Sequence, residues 1–385
     1  MKSIATFLLL LIVFGNSCSS SIKHIFENRT PHEKYADKLD DKGLDDTPEG
    51  RAWLAASKKA LEAPQSISLP YRQNGYFGAD KPRALGLLFN VKRGERITFN
   101  LTKKGNNNLP LYADVFQQNG SSSPLLSADT ATTQFSFDAD ETGSYILRLQ
   151  PELFRSGEYS LSASVGPSLG FPVSYSKANV GSVWGDNRDG GKRRHEGIDI
   201  FAPKLSPAIA AEDGYITGVR EGGIGGKTVW LKLNNKSVFL YYAHLDKQLV
   251  QEGQFVKKGD VVGLVGNTGN AQYTSSHLHF GVYTFAGPVD PLPFVNRTVK
   301  TAPAVPDKNL TGSLKLTKTQ KTAEGVLIKA NTVLVPLAVT VKGYIAELPD
   351  GNFIQAPFAS VQVIKQPAKP VNALATTPAG ETKKS

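Results

Sequence analysis

Histidine placement constrains this chain more than any other feature. Four of its six histidines, His195, His244, His277 and His279, fall between residues 195 and 279, while His24 and His32 lie far upstream in polar surroundings. Side chains alternate faces along a strand, so His277 and His279 share one face if their run is extended. Val282 and Tyr283 follow them and suit a strand. His195 and Asp199 are four apart among Ile198, Ile200 and Phe201, and a strand puts them on one face as well. Gly197 inside that run and Pro203 after it count against a helix. The segment is thus committed to sheet, with imidazoles and a carboxylate gathered on it.

Two imidazoles and one carboxylate are a common zinc set that leaves a fourth position open for water. Four histidines and one aspartate exceed that set, which frees imidazoles for proton transfer or charge stabilisation. Any one of these histidines alone is more often structural than functional. Together, as His-x-x-x-Asp, a middle His and His-x-His inside one glycine-rich segment, they point to a catalytic metal. Glu196 and Asp246, close in sequence, are the candidates to orient the zinc histidines.

The segment also carries Arg194-His195-Glu196-Gly197-Ile198-Asp199-Ile200, Ala211-Glu212-Asp213-Gly214-Tyr215-Ile216, Tyr242-Ala243-His244-Leu245, Val256-Lys257-Lys258-Gly259-Asp260, Gly263-Leu264-Val265-Gly266-Asn267-Thr268-Gly269 and His277-Leu278-His279-Phe280. In this order the motifs resemble the lysostaphin-type zinc metallopeptidases, which cut peptide bonds in peptidoglycan. The likeness covers about residues 180–294. It implies one Zn2+ held by His195, Asp199 and His279, with His244 and His277 in catalysis. It further implies that His277 takes the proton of the attacking water and that His244 orients the water or stabilises the oxyanion, roles the sequence leaves interchangeable. Ser275-Ser276 stands where the family often has Gly-Pro, a departure in the loop and not in a ligand.

Upstream, Met1-Lys2, an apolar run from Phe7 to Phe14 and Gly15-Asn16-Ser17 read as a secretory signal, too short to span a bilayer. Cys18 follows, the only cysteine, and resembles a bacterial lipoprotein site with Gly15 where a leucine is usual. Residues 19–64 read as a helical arm. Thr30-Pro31-His32-Glu33 forms a capping box and Thr47-Pro48 opens a second helix, with His32 expected in solvent. Residues 65–166 alternate as short strands between turns and predict a β-sandwich, faintly like the pre-peptidase modules of secreted proteases.

The peptidase domain is placed at 167–297. Its loop Val183–Lys192 and Arg193-Arg194 offers Arg188, Arg193 and Arg194 to pair a stem carboxylate, with Arg188 and Arg194 taken as the substrate-binding residues. Gly222–Gly226 is no phosphate loop and reads as a flexible hairpin tip at the edge of the groove. A linker, 298–311, leads to a small β module at 312–365 that faintly resembles Src-homology-type barrels. The Pro/Ala/Thr/Lys-rich tail 366–385 reads as disordered.

The predicted fold is therefore mainly β. Forty-four Lys and Arg against 34 acidic residues give a net charge of +10. These charges are scattered and no nucleic-acid motif accompanies them, so an anionic wall or membrane surface is the expected partner and nucleic acid is not. The reading is an exported zinc endopeptidase of peptidoglycan cross-links, lipid-anchored through Cys18 in the outer membrane. The alternatives are a non-catalytic activator of a wall amidase, a wall-binding lipoprotein, and carboxypeptidase action on stem ends.

Overall fold

The computed structural model describes residues 29–364 except 105–108, 119, 121–122, 235 and 323–324. The signal segment, Cys18 and the tail after 364 lie outside the described residues.

The chain is mainly β. Two helices open it, Pro31–Asp40 and Pro48–Glu62. Thr30 Oγ1 accepts from Glu33 N while the Glu33 carboxylate accepts from Thr30 N, the reciprocal cap expected from the sequence. Thr47 caps the second helix by a single bond, its Oγ1 accepting from Gly50 N. The arm docks on the sandwich through Trp53, which is 1% exposed and donates its indole N–H to the Pro151 carbonyl.

His32 is not in solvent. It is 5% exposed, stacked on Trp53 at 4.6 Å, with Nε2 2.6 Å from Gln150 Oε1. The polar helix sequence around it hides this. Only its tertiary partner supplies the apolar face and the acceptor.

The sandwich has a five-stranded sheet in the spatial order Gln65–Ser66, Leu85–Val91, Gly143–Pro151, Leu111–Gln117, Leu126–Ala128. The facing sheet includes Tyr71–Phe77, Gly157–Pro167, Glu95–Lys104 and Gln134–Asp138. Phe89, Phe99, Tyr145 and Leu161 fill the layer between them, each at most 2% exposed.

This second sheet continues into the carboxy-terminal segment, so residues 312–364 close no barrel of their own. Val333–Thr340 pairs antiparallel with Tyr71–Phe77, at Gln73 opposite Thr340 and Gly75 opposite Ala338. Without that partner Tyr71–Phe77 would be an edge strand with unpaired backbone groups. Alternation marks the later strands in the sequence but does not say which edge they join. A buried ion pair, Arg83 Nε to Glu347 Oε2 at 2.9 Å, ties the same two regions.

The remaining sheet holds the histidines. Its strands run in the order Asn179–Ser182, Ile198–Phe201, His277–Thr284, Val238–Gln248, Lys227–Leu233, Gly214–Arg220, Phe255–Val256. Ile198, Ile200, Leu278, Phe280, Leu240 and Tyr242 are fully buried beneath it, so the alternating partners Asp199, His277 and His279 are left for the other face. The junction with the sandwich is hydrogen-bonded: Leu169 N donates to Phe294 O, and Ser168 donates from both N and Oγ to Gly94 O. Gly94 has φ +87°, and a Cβ there would lie 2.3 Å from the Phe294 ring. Among the described residues no helix is long and apolar enough to cross a membrane.

Candidate metal centre and its cleft

Strand register assembles the centre. Ile198–Phe201 pairs antiparallel with His277–Thr284, setting Asp199 opposite His279 and Phe201 opposite His277. On the other side Ala243 lies opposite His279, and His244 follows as the strand turns. His244 has φ +60°, unusual for a residue with a Cβ. Its N–H donates to Gly225 O and its Nδ1 is 2.9 Å from Thr268 O. His195 enters from the adjoining loop.

Three donor atoms form a nearly equilateral triangle. His195 Nε2 lies 3.0 Å from His279 Nδ1, and each is 3.1 Å from Asp199 Oδ1. Two donors each ~2.0–2.1 Å from a tetrahedral metal stand roughly 3.3–3.4 Å apart. The triangle is a few tenths of an ångström tighter and fits a four-coordinate divalent ion with one open position. Three residues, His195, Asp199 and His279, are the group of His, Asp and Glu able to hold a metal ion among the described residues.

The tautomers follow from the partners. His195 Nδ1 is 2.9 Å from Val183 O, His244 Nδ1 2.9 Å from Thr268 O and His277 Nδ1 2.8 Å from Ser275 O. A carbonyl only accepts, so each Nδ1 carries a proton, and in the neutral ring Nε2 is the nitrogen with the lone pair. His277 Nε2 lies 3.9 Å from Asp199 Oδ1, and the His244 and His277 rings are 5.1 Å apart. Burial, then the neighbouring His277 and His279, push His244 down to about 4, which keeps it neutral at pH 7. Burial also lowers His279. Burial works to raise Asp199, but the hydrogen bonds and charges of His195 and His279 prevail and hold it well below the carboxylate range.

The cleft over these atoms is about 460 Å3 and is lined by residues 182–283 alone among the described residues. It thus belongs to the histidine-bearing sheet, with no wall from the sandwich or the carboxy-terminal strands. Tyr241 and Tyr283 line one end, and burial followed by the Glu196 charge pushes Tyr283 up to about 12.

Comparison with known proteins gives the family. The profile described as "Peptidase family M23" matches residues 193–291. The chain carries a Peptidase family M23 domain. A protein named peptidoglycan DD-endopeptidase ShyB from Vibrio cholerae is 39% identical over 97 residues, 25% of this chain and 22% of that protein. The DD-carboxypeptidase/endopeptidase Mpg from Neisseria meningitidis is 33% identical over 141 residues, 36% of this chain and 30% of that protein. Matched segments thus span under a third of these curated relatives. Among solved structures, the catalytic domain of lysostaphin from Staphylococcus simulans is 31% identical, covering 30% of this chain and 91% of that one, with a TM-score of 0.28.

Within the M23 domain the histidines and Asp199 converge, but the two arginines singled out from the sequence separate. Arg188 lines the cleft, yet its Nη2 is 2.7 Å from Asp199 Oδ2 and 2.7 Å from Ser182 Oγ. Arg194 is exposed, bonded to Asn187 Oδ1 and Gly185 O, and is not a lining residue of the cleft; Arg193 is. Alternation along the two-residue strand Arg193–Arg194 sends neighbours to opposite faces. The groups that orient the imidazoles are backbone carbonyls and not Glu196 or Asp246. Asp246 instead meets Lys204 at 2.9 Å.

Two close approaches at glycine were not visible in the sequence, although the glycine-rich tip was expected at the groove edge and does line the cleft. Gly197 makes room for the metal centre, because a Cβ there would lie 2.6 Å from His279 Cε1 and 2.7 Å from Phe280 O. The glycine-rich tip is knitted into the site. A Cβ on Gly226 would strike Thr268 Oγ1 at 2.3 Å, and Asn270 N donates to Ile224 O. Clustered glycine looks the same in sequence whether it serves flexibility or close packing.

Proposed function

We propose that this chain is a zinc-dependent endopeptidase that hydrolyses peptide cross-links of bacterial peptidoglycan. The observation carrying the reading is the 3.0–3.1 Å donor triangle facing the same cleft as two further imidazoles with unprotonated Nε2 atoms. The names of the relatives, a peptidoglycan DD-endopeptidase and a DD-carboxypeptidase/endopeptidase, support the substrate class.

His195 Nε2, Asp199 Oδ1 and His279 Nδ1 would hold the ion. Zinc, when bound, lowers the pKa of a water and polarises a peptide carbonyl. His277 Nε2 accepts the proton of the attacking water as its oxygen bonds to the carbonyl carbon. The resulting imidazolium then gives that proton to the leaving amine as the C–N bond breaks. His244 orients the water by accepting from it. With Nδ1–H committed to Thr268 O, the neutral ring offers a lone pair and no proton, which favours this role over oxyanion stabilisation. Arg188, reassigned from substrate binding, is a positioning residue that fixes Asp199 through its outer oxygen. The M23 domain acts in the cell envelope, with Cys18 as the lipid attachment point.

The test is digestion of purified peptidoglycan by the chain from Ser19 onward, with products read by mass spectrometry beside chelator-treated and His277→Ala samples. Uncross-linked muropeptides absent from both controls are expected. Products shortened only at stem ends would convert the reading to a carboxypeptidase. Intact cross-links with zinc bound would overturn hydrolysis and favour an amidase activator.

A further inference from the structure

A second depression lies where the sandwich meets the M23 domain. It is open-sided, about 810 Å3, within the range of roughly 300–1,000 Å3 usual for ligand sites. Lys92, Arg93 and Thr142 come from the sandwich, and Trp184, Pro288 and Asp290 from the M23 domain. We propose that this groove binds the glycan strand of the wall polymer, an inference that rests on the peptidase reading above.

The backbone links the walls of the groove to those of the metal cleft at two points. Val183, whose carbonyl holds His195 Nδ1, immediately precedes Trp184. Tyr283, a wall of the metal cleft, is the register partner of Pro288, a wall of the groove. A stem peptide lying across the metal centre remains covalently joined to its sugar, so the sugar must come to rest within a stem's length of the cleft.

The groove's chemistry suits that sugar. Trp184 is partly exposed, and among the described residues its indole N–H donates to no protein group. It offers an apolar face with a polar edge, which matches the C–H face and hydroxyls of a pyranose ring. Lys92 is exposed, and its ammonium has no ion-pair partner among the described residues. Glu141 and Asp290 offset the positive charge of Lys92 and Arg93 in the lining. A charge-balanced lining with donors and acceptors fits a polyhydroxylated amide-bearing sugar better than a strongly anionic ligand.

The groove also has a fixed shape. Lys236 of the M23 domain meets Asp138 and Asp140 of the sandwich at 3.3 and 3.4 Å, and Val165 and Lys300 exchange backbone hydrogen bonds. On the sandwich side, Arg93 N donates to Thr142 Oγ1 and Arg93 Nε to Asp140 O, fixing the loops that carry the groove's polar groups.

The experiment uses the full chain and two probes, glycan strands stripped of stem peptides and a cross-linked stem-peptide dimer lacking sugar. Equilibrium binding to the glycan is measured for the wild type, Trp184→Ala and Lys92→Glu, and kcat/KM is measured on sacculi and on the sugar-free dimer. Saturable binding by the wild type is expected, weakened about tenfold by Trp184→Ala and about threefold by Lys92→Glu. Turnover of sacculi should fall in parallel while turnover of the sugar-free dimer changes less than about twofold.

No saturable glycan binding by the wild type would overturn the proposal. So would glycan affinity unchanged in Lys92→Glu, a surface change that folding tolerates. An equal slowing of both substrates by Trp184→Ala would overturn it too, since that would mean Trp184 acts only through the Val183–His195 contact. Glycan binding by a wild type that cuts neither substrate would sustain the groove and defeat the peptidase reading.

Discussion

Among the described residues histidines are buried in two places, and they are put to opposite use. At the junction of the arm and the sandwich, the ring of His32 is stacked on Trp53, edged by Tyr112 at 5.6 Å, and its Nε2–H is given to Gln150 Oε1. Gln150 Nε2 in turn donates to Trp53 O, which fixes the amide's orientation. At the M23 centre the proton sits on the other nitrogen. His195, His244 and His277 give Nδ1–H to backbone carbonyls, leaving their Nε2 atoms unprotonated. His32 and His244 are both pushed down to about 4 by burial. Burial and a low pKa therefore do not separate structural from reactive histidine. Unspent lone pairs beside a cleft do.

The comparison breaks first at the ligands. His279→Ala should lose both bound metal and hydrolysis, because it removes one corner of the triangle and the strand partner of Asp199. Metal content measured after gel filtration checks this, and a normal zinc stoichiometry would remove His279 from the set. His277→Ala should keep its zinc and lose about 10²–10⁴-fold in kcat, the usual contribution of a proton-transfer group. Unchanged turnover would sink the base assignment. His32→Ala, by contrast, should leave kcat and metal content as they are.

A smaller effect tests the brace behind the ligands. Arg188→Ala should weaken zinc binding about 10–100-fold in a competition titration against a chelator, the usual cost of losing a group that orients a ligand. KM for substrate should move less than metal affinity. Arg188→Lys should restore part of the affinity, since a cation still reaches Asp199 but without the planar Nη2 whose two N–H groups hold Asp199 and Ser182 together. A large KM increase with unchanged zinc affinity would return Arg188 to substrate binding.

What the sequence disclosed and what it hid divide along physical lines. The candidate ligands were partly legible because strand alternation is local: His277-x-His279 declares a shared face. His195, expected on the strand of Asp199, instead lies outside Ile198–Phe201 in the adjoining loop, and the pairing that sets Asp199 opposite His279 is not written in either run. The strands of the sandwich were legible too as alternation between turns, and Leu85–Val91 and Leu111–Gln117 fall within the span 65–166 read that way. Non-local pairings were not. That Val333–Thr340 adds to Tyr71–Phe77 depends on which strand edge is left open, and no pattern in either segment records it. Arg188 and Arg194 look alike in sequence. Only the fold shows one guanidinium on Asp199 and the other on Asn187.

The other side of the comparison is tested by pH. His32 titrates at about 4 in the folded chain against about 6.5 unfolded, chiefly through burial and then the charge of Arg148, with Gln150, Asp114 and Glu33 pulling the other way. A lowered folded-state value means the unfolded chain binds the extra proton first. The stability that neutral His32 contributes is therefore complete above about pH 6.5 and is lost as pH falls toward about 4. Two and a half pKa units correspond to about 3 kcal/mol as an upper bound, and partial solvent access at the arm lowers it. His32→Phe keeps a ring on Trp53 but cannot titrate. It should cost about 1–2 kcal/mol at neutral pH by orphaning Gln150 Oε1, and it should flatten the decline between about pH 6.5 and pH 4.5 in urea unfolding. If variant and wild type lose stability in parallel over that interval, the pH sensitivity lies elsewhere and His32 is held by stacking alone.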